Sequence, residues 1–360
     1  MSISARENIQ NLRAYETPQI KARIKLNSNE SPWPLPDKII EDIERAVAVV
    51  EFNRYPDASS RILREEVSRW LRVGLDNVLV GSGSNEMIQC VFLAFGGKGR
   101  TLMTFVPTYS MASKIAAITD TEEISVPLKE DFSPDIRKIV KQLEQVTPHI
   151  IYMCNPNNPT GTLFRRSFIM KLLEMTETLV VVDEAYGEFC PTSVIDLTNR
   201  HANLAVVKTF SKALRLAGAR VGVLVASEPI VKEVQKVKLP YNLNILSQTI
   251  ATIVLRNRTL LWPAIKEIVE ERERVRRELE KIEGVVAVPS QTNFILFKTP
   301  FEGNTIYEEL LRRDVLIRNF SNYPYLKGYL RVTIGTKEEN QEFLAALKDV
   351  LDNRMWASRL

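Results

Sequence analysis

The chain has 360 residues, 45% hydrophobic and 26% charged, the balance of an ordinary globular protein with room for two domains. Its net charge of +4 is mild, and no stripe of Lys and Arg interleaved with aromatics suggests a nucleic-acid groove. Three cysteines without C-x-x-C spacing (Cys90, Cys154, Cys190) and two histidines outside any ligand pattern argue against a disulfide framework and against a bound metal. No apolar run reaches membrane-spanning length, and the opening "MSISARENIQ" has no apolar signal region, so a cytoplasmic protein without a membrane partner is expected.

The first thirty residues are polar and are expected to form an arm. Helical periodicity runs through Ile39, Ile43 and Val47 and again over residues 62–71. From residue 77 short apolar runs alternate with amphipathic helices: "NVLVG", "TLMTF", "EISVP", "HIIYMC", "TLVVVDE", "LAVVKT" and "VGVLVA". Such β-branched, nearly continuous runs are the pattern of strands buried on both faces of a mostly parallel sheet. Residues 85–95 and 165–175 read as crossover helices. Beyond about residue 255, a charged helix (262–281) leads into strands "GVVAVP" and "NFILFK", helix "TIYEELLRR", strands "VLIRNF" and "YLRVTIG", and helix "KEENQEFLAALKDVL". The expected organisation is α/β: an arm over 1–30, a large domain over 31–255 with a mostly parallel central sheet, and a smaller α+β domain over 256–360.

In open α/β sheets ligands sit beyond the carboxyl ends of the strands, and the unusual polar residues of this chain fall there. "GSGSNE" (81–86), with Ser84 and Asn85, is either a plain turn or an anion site at a helix N-terminus. It is not a dinucleotide fingerprint, because Glu86 takes the last glycine position, and it has no Walker lysine. Tyr109 in "VPTYS" either completes a strand–helix turn or stacks on a planar ring. Asn158 in "CNPNNPTG" belongs to a structural loop or donates to a phenolic oxygen. Asp183, after four apolar residues, is costly to bury without a cationic partner, and Tyr186 follows closely. Then "KTFSKALRLAGAR" gathers Thr209, Ser211, Lys212 and Arg220 just past a strand, as if around an anion. A phosphorylated aromatic ring with a basic nitrogen and an aldehyde would use every member of this set. Pyridoxal 5′-phosphate is such a molecule.

These motifs, with "LNSNESPWP", "RYPD", "NFILF" and "YLRVTIG", make the chain resemble the fold-type I pyridoxal-phosphate transferases, and among them the histidinol-phosphate aminotransferases, from about residue 15 to 351. The resemblance implies transamination between L-histidinol phosphate and 2-oxoglutarate, giving imidazole-acetol phosphate and L-glutamate. It implies that Lys212 binds the cofactor covalently and serves as the base, while Ser84, Asn85, Thr209, Ser211 and Arg220 address the phosphate. Asp183 would pair with the ring nitrogen, Asn158 and Tyr186 with the ring oxygen, and Tyr109 would stack on the ring. The tyrosine of "RYPD", Tyr55, would reach the phosphate of a neighbouring subunit, which implies a homodimer; a core tyrosine in a turn is the alternative. One departure is that the phosphate turn often reads Gly-Ala-Asp-Glu in this family, whereas here it reads Gly83-Ser84-Asn85-Glu86.

At the substrate end, Arg331 lies among alternating apolar residues of a strand, where an inward guanidinium calls for an anion, and Arg318 belongs to the neighbouring strand pattern. Either arginine could instead sit in a salt bridge, but two together suit a dianionic phosphate. Tyr15, Asn29 and Glu30 of the arm are candidates for closing over the substrate. An aromatic amino acid aminotransferase, a threonine-phosphate decarboxylase and a noncatalytic sensor of the same cofactor share much of this pattern.

Overall fold

The computed structural model describes residues 3–10, 12–14 and 19–357. After β1 (Ile24–Lys25) and two helices, seven strands form one sheet: β2 (Val78–Gly81), β3 (Thr101–Val106), β4 (Glu122–Pro127), β5 (Ile150–Cys154), β6 (Leu179–Asp183), β7 (Leu204–Thr209) and β8 (Gly222–Ala226). Their order is β2-β8-β7-β6-β5-β3-β4. The run from β4 to β7 is parallel, whereas β8 is antiparallel to both β7 and β2. All seven apolar runs are strands, but composition did not show the reversal of β8, and "EISVP" (β4), expected to be buried on both faces, is an edge strand with only Val126 buried.

Alternation along the strands assigns the two faces. Tyr152, Val181, Val207 and Leu224 pack with the helices Ser84–Phe95, Met111–Ile118 and Glu228–Val237. On the opposite face Met103, Val180, Val182 and Val206 meet Phe168, Ile169 and Leu172 of the helix Arg166–Met175. Val180, Val182 and Val206 are fully buried, each contributing about 1.5–3 kcal/mol of apolar transfer.

The C-terminal part has its own core. Strands β9 (Val286–Ala287), β10 (Phe294–Lys298), β12 (Arg318–Asn319) and β13 (Tyr329–Thr333) form an antiparallel sheet in the order β12-β13-β10-β9. It packs on the helices Trp262–Glu280, Gly303–Arg312 and Lys337–Ala357 through residues such as Val275, Phe297, Ile306 and Phe343. The segment "VLIRNF", expected as one strand, is two. Its first half, β11 (Val315–Leu316), pairs in parallel with β1 of the arm, and only Arg318–Asn319 joins β13. The arm thereby contributes a strand, which its polar composition hid. No helix among the described residues is long and apolar enough to cross a membrane.

Candidate active site

A cavity of about 780 Å³ opens at the carboxyl ends of the parallel strands and is walled on its far side by β13 and the loop after β12. The turn after β2 enters it first. Gly83 has φ +83° and opens the helix Ser84–Phe95, so Ser84 and Asn85 present the helix N-terminus to the cavity. Two glycines permit the close approach here. A Cβ on Gly83 would lie 2.6 Å from Arg220 Nη2, and one on Gly222 would lie 2.2 Å from the Gly83 carbonyl carbon and 2.3 Å from the Ser84 nitrogen. The Thr209 hydroxyl donates to Ser211 Oγ at 3.0 Å, and Arg220 Nη1 donates to the same oxygen at 3.3 Å. A helix N-terminus, hydroxyls and one exposed guanidinium are the donor set of a phosphate dianion.

Asp183 closes β6 at 1% exposure. Its Oδ2 accepts from the Tyr152 hydroxyl at 2.7 Å and its Oδ1 from the Ala185 N–H at 3.0 Å. Burial pushes this carboxyl up to about 6, and the two hydrogen bonds offset burial only in part. A cationic ring nitrogen in the cavity would supply the missing charge. Tyr186 accepts at its hydroxyl from Asn29 Nδ2 at 2.8 Å and from Asn158 Nδ2 at 3.2 Å. Burial raises this phenol, so it stays protonated and can donate. Tyr109 lines the cavity and donates to Asn85 Oδ1 at 3.1 Å, which ties the aromatic wall to the phosphate turn.

Two lysines leave the same strand with opposite electrostatics. Lys212, half-buried at the cavity wall, donates to the Ser28 carbonyl at 2.9 Å. Burial, then the positive charges of Arg331 and Arg220 against a weaker pull from Glu30, lower it to about 8. Lys208 is also buried, but Glu188 and Glu184 more than reverse the effect of burial and raise it. Only Lys212 combines access to the cavity with a neutral form near physiological pH.

Arg331 and Arg318 are direct cross-strand partners, and both line the cavity. Like charges placed opposite one another are unfavourable unless something anionic joins them. Arg331 Nη1 donates to Asn158 Oδ1 at 2.6 Å and Nη2 to the Asn27 carbonyl at 2.9 Å, with the guanidinium 4.9 Å from the Phe294 ring centre and 5.3 Å from that of Phe320. Arg318 Nη2 donates to the Tyr323 hydroxyl at 3.3 Å. Arg318 is in no salt bridge with a carboxylate within 4 Å among the described residues. Asn29 is buried at the cavity edge, and Glu30 lines the cavity while pairing with Lys25 at 2.7 Å.

Thus Ser84, Asn85, Tyr109, Asn158, Asp183, Tyr186, Thr209, Ser211, Lys212, Arg220, Arg318, Arg331, Asn29 and Glu30 converge on one cavity. Tyr55 does not join them within one chain. It is 81% exposed and stacks on Tyr241, with ring centres 4.5 Å apart. Tyr15 lies outside the described residues. Sequence reasoning missed Tyr152, whose clue was a hydroxyl-bearing ring inside a fully buried strand that needs an acceptor. It also missed Tyr323, Phe320 and the Asn27 and Ser28 carbonyls.

The family described as "Aminotransferase class I and II" matches residues 21–347. The histidinol-phosphate aminotransferase of Thermoanaerobacter pseudethanolicus is 41% identical over 346 residues, covering 96% of this chain and 98% of that one. Histidinol-phosphate aminotransferase 1 of Carboxydothermus hydrogenoformans is 42% identical with the same coverage. Among solved structures, histidinol-phosphate aminotransferase from Sinorhizobium meliloti in complex with pyridoxal-5′-phosphate shares the fold at TM-score 0.88 and 22% identity, covering 97% of this chain and 98% of that one. The L-threonine-O-3-phosphate decarboxylase of Porphyromonas gingivalis also shares it, at TM-score 0.81 and 24% identity with 91% and 99% coverage, so fold alone does not choose the reaction. Full-length identity of about 40% does: the chain belongs to the class I and II aminotransferases of fold type I, and within them to the histidinol-phosphate aminotransferase family.

Proposed function

We propose that this protein moves the amino group of L-histidinol phosphate to 2-oxoglutarate, giving imidazole-acetol phosphate and L-glutamate, as a cytoplasmic enzyme of histidine biosynthesis that uses pyridoxal 5′-phosphate. The observation that carries the substrate is the Arg318–Arg331 pair, cross-strand neighbours facing the cavity that also holds Lys212. When bound, the cofactor supplies the electron-withdrawing ring that makes the substrate Cα–H acidic. The chain does the rest. Ser84, Asn85, Thr209, Ser211 and Arg220 hold the cofactor phosphate, Tyr109 packs on the ring, and Asn158 and Tyr186 bind the ring oxygen. Asp183 keeps the ring nitrogen protonated. Lys212 would tether the cofactor through its amine and, once released as a neutral base, would take up the proton at the substrate Cα.

Arg331 and Arg318 hold the substrate phosphate. Each charge-assisted bond is worth roughly 1.5–3 kcal/mol, so Arg331→Lys, which keeps the charge but loses the planar fork, lowers kcat/KM for histidinol phosphate by about ten- to a hundredfold. Histidinol, which lacks the phosphate, is the matched control and suffers little. Equal losses on both substrates would make the arginines structural. Activity on phenylalanine and on threonine phosphate, measured alongside, distinguishes an aromatic aminotransferase and a decarboxylase from the proposed enzyme.

The working unit we infer is a homodimer in which the partner subunit supplies a Tyr55 to each site. Its exposure and its absence from the cavity of its own chain support this reading. Homodimers of Tyr55→Phe and of Lys212→Ala are each impaired. A heterodimer of the two has one site with both defects and one intact site, so it recovers about half the activity of a wild-type dimer, as intersubunit complementation requires. No recovery despite verified subunit exchange would return Tyr55 to its own chain's site. Residues 31–255 are taken as the large cofactor-binding domain, 256–360 as the small domain and 1–30 as the arm, a division supported by the separate sheets and cores.

A further inference from the structure

Lys208 has no part in the chemistry described so far, yet it is one of the most heavily charged buried points in the molecule. Its ammonium lies 2.8 Å from Glu188 Oε1 and 3.3 Å from Glu184 Oε2, and the three side chains are 5%, 8% and 1% exposed. The Trp70 ring centre is 5.8 Å from the cation. Glu184 is held from its other side by the Val194 N–H at 2.7 Å and by the Ser193 hydroxyl, which donates at 2.7 and 2.9 Å. A buried ion cluster is a weak device for stability, since apolar groups of similar volume often do as well. Its value is better sought in what it holds in place.

What it holds is the segment that carries the ring-binding residues. Glu184 directly follows Asp183, and Glu188 comes two residues after Tyr186. Both carboxylates converge on a lysine in β7, four residues before Lys212. The Glu184 N–H also donates to the Val207 carbonyl at 2.8 Å, so the segment leaves β6 still paired to β7. Successive residues of an extended chain point to opposite sides, which sends Glu184 toward Lys208 and Asp183 toward the cavity. The wrap is tight: a Cβ on Gly187 would come within 3.0 Å of Lys208 Nζ. Beyond Glu188, Arg272 Nη1 donates to the Phe189 carbonyl at 3.4 Å and to the Thr292 carbonyl at 3.0 Å, fastening the far end of the segment to the helix Trp262–Glu280.

We propose that Lys208 is a positioning residue whose ammonium, clamped between Glu184 and Glu188, locks the 183–190 segment to the strand leading to Lys212 and thereby fixes Asp183 and Tyr186 against the cofactor ring. The proposal rests on the assignment of Asp183 and Tyr186 to the ring. It separates two functions on one strand, with Lys212 reacting and Lys208 setting the frame.

The test compares Glu188→Gln, Lys208→Arg and Lys208→Met in the reconstituted enzyme. Lys208→Met strands two buried carboxylates and can fail to fold, whereas Glu188→Gln keeps the Lys208–Glu184 pair and an acceptor at position 188. Glu188→Gln is expected to lower kcat by about 10- to 100-fold, as small misplacements of catalytic groups do, while KM for histidinol phosphate stays within about twofold. The visible circular dichroism of the bound cofactor, which reports ring orientation, falls with kcat, and the affinity of the cofactor-free protein for pyridoxal phosphate weakens. Lys208→Arg, which still bridges both carboxylates, restores most of each quantity relative to Lys208→Met or, where that variant does not fold, stays near wild type. In an Asp183→Asn background, Glu188→Gln lowers kcat by a smaller factor than it does alone, because part of its effect acts through the group already removed. A folded Glu188→Gln enzyme with wild-type kcat, dichroism and cofactor affinity overturns the clamp, as does full additivity with Asp183→Asn. Failure of the underlying assignment shows separately, as normal turnover in Asp183→Asn alone.

Discussion

Lys212→Ala abolishes transamination, lowering kcat by about 10⁴-fold or more, since one substitution removes both the covalent tether and the base. The variant still binds some pyridoxal phosphate, because the phosphate donors around Gly83, Ser211 and Arg220 are untouched. In the wild-type protein, borohydride fixes the cofactor to Lys212, and peptide mass spectrometry locates the adduct. An adduct on Lys208 or any other lysine would end the assignment. The pH dependence gives an independent check. The Lys212 amine is protonated below about 8 and neutral above it, so covalent capture of pyridoxal phosphate by cofactor-free protein speeds up as pH rises and levels off above that value. A lysine in its usual state would show the rise only near pH 10.5. A midpoint there would mean that burial and Arg331 do not act on the amine as described.

Asp183→Asn lowers kcat by about 10²–10³-fold, the scale for losing one preorganised electrostatic partner, since an amide cannot hold the proton on the ring nitrogen. Its effect on stability has the opposite sign. In the cofactor-free protein the folded state holds the Asp183 proton up to about pH 6, whereas the ordinary carboxyl value is 3.8. Between these values the native state binds more protons than the unfolded one, so this group's contribution to stability falls as pH rises. Above pH 6 the cost is fully present, at about 3 kcal/mol, and below 3.8 it vanishes. Cofactor-free Asp183→Asn is therefore more stable than wild type at pH 7.5, and the gap closes toward pH 4. Thermal melts at both pH values measure it. An inactive variant that is also less stable at pH 7.5 would place Asp183 among the structural residues.

The sequence made the central sheet readable because its inner strands are apolar runs buried on both faces, a pattern that survives without knowledge of neighbours. The cavity was readable for a related reason. Asp183, Tyr109 and Lys212 are polar residues just past apolar runs, where strands end and ligands gather. What stayed hidden depends on residues far apart in the chain. Nothing local in "HIIYMC" says that Tyr152 donates to Asp183, and nothing near Asn158 announces Arg331. The division of "VLIRNF" into two strands depends on β1, almost three hundred residues earlier, claiming its first half. A lysine at a strand end usually reaches solvent, and only the folded chain brings Glu184 and Glu188 to Lys208.

The reversed strand β8 also has a consequence for how the protein acquires its cofactor. Val78 pairs with Val225 and Gly81 with Gly222, so the sheet edge that carries the phosphate turn closes only when two distant stretches of chain meet. Loop closure makes such pairings slow relative to local helix formation. The helix Ser84–Phe95 can form early, but its N-terminus meets Arg220 and Ser211 only after β8 has slotted between β2 and β7. A nascent chain therefore offers pyridoxal phosphate no complete anion cradle until this long-range pairing of the central sheet is made. From then on, binding adds its stabilisation to the finished sheet and to no earlier intermediate.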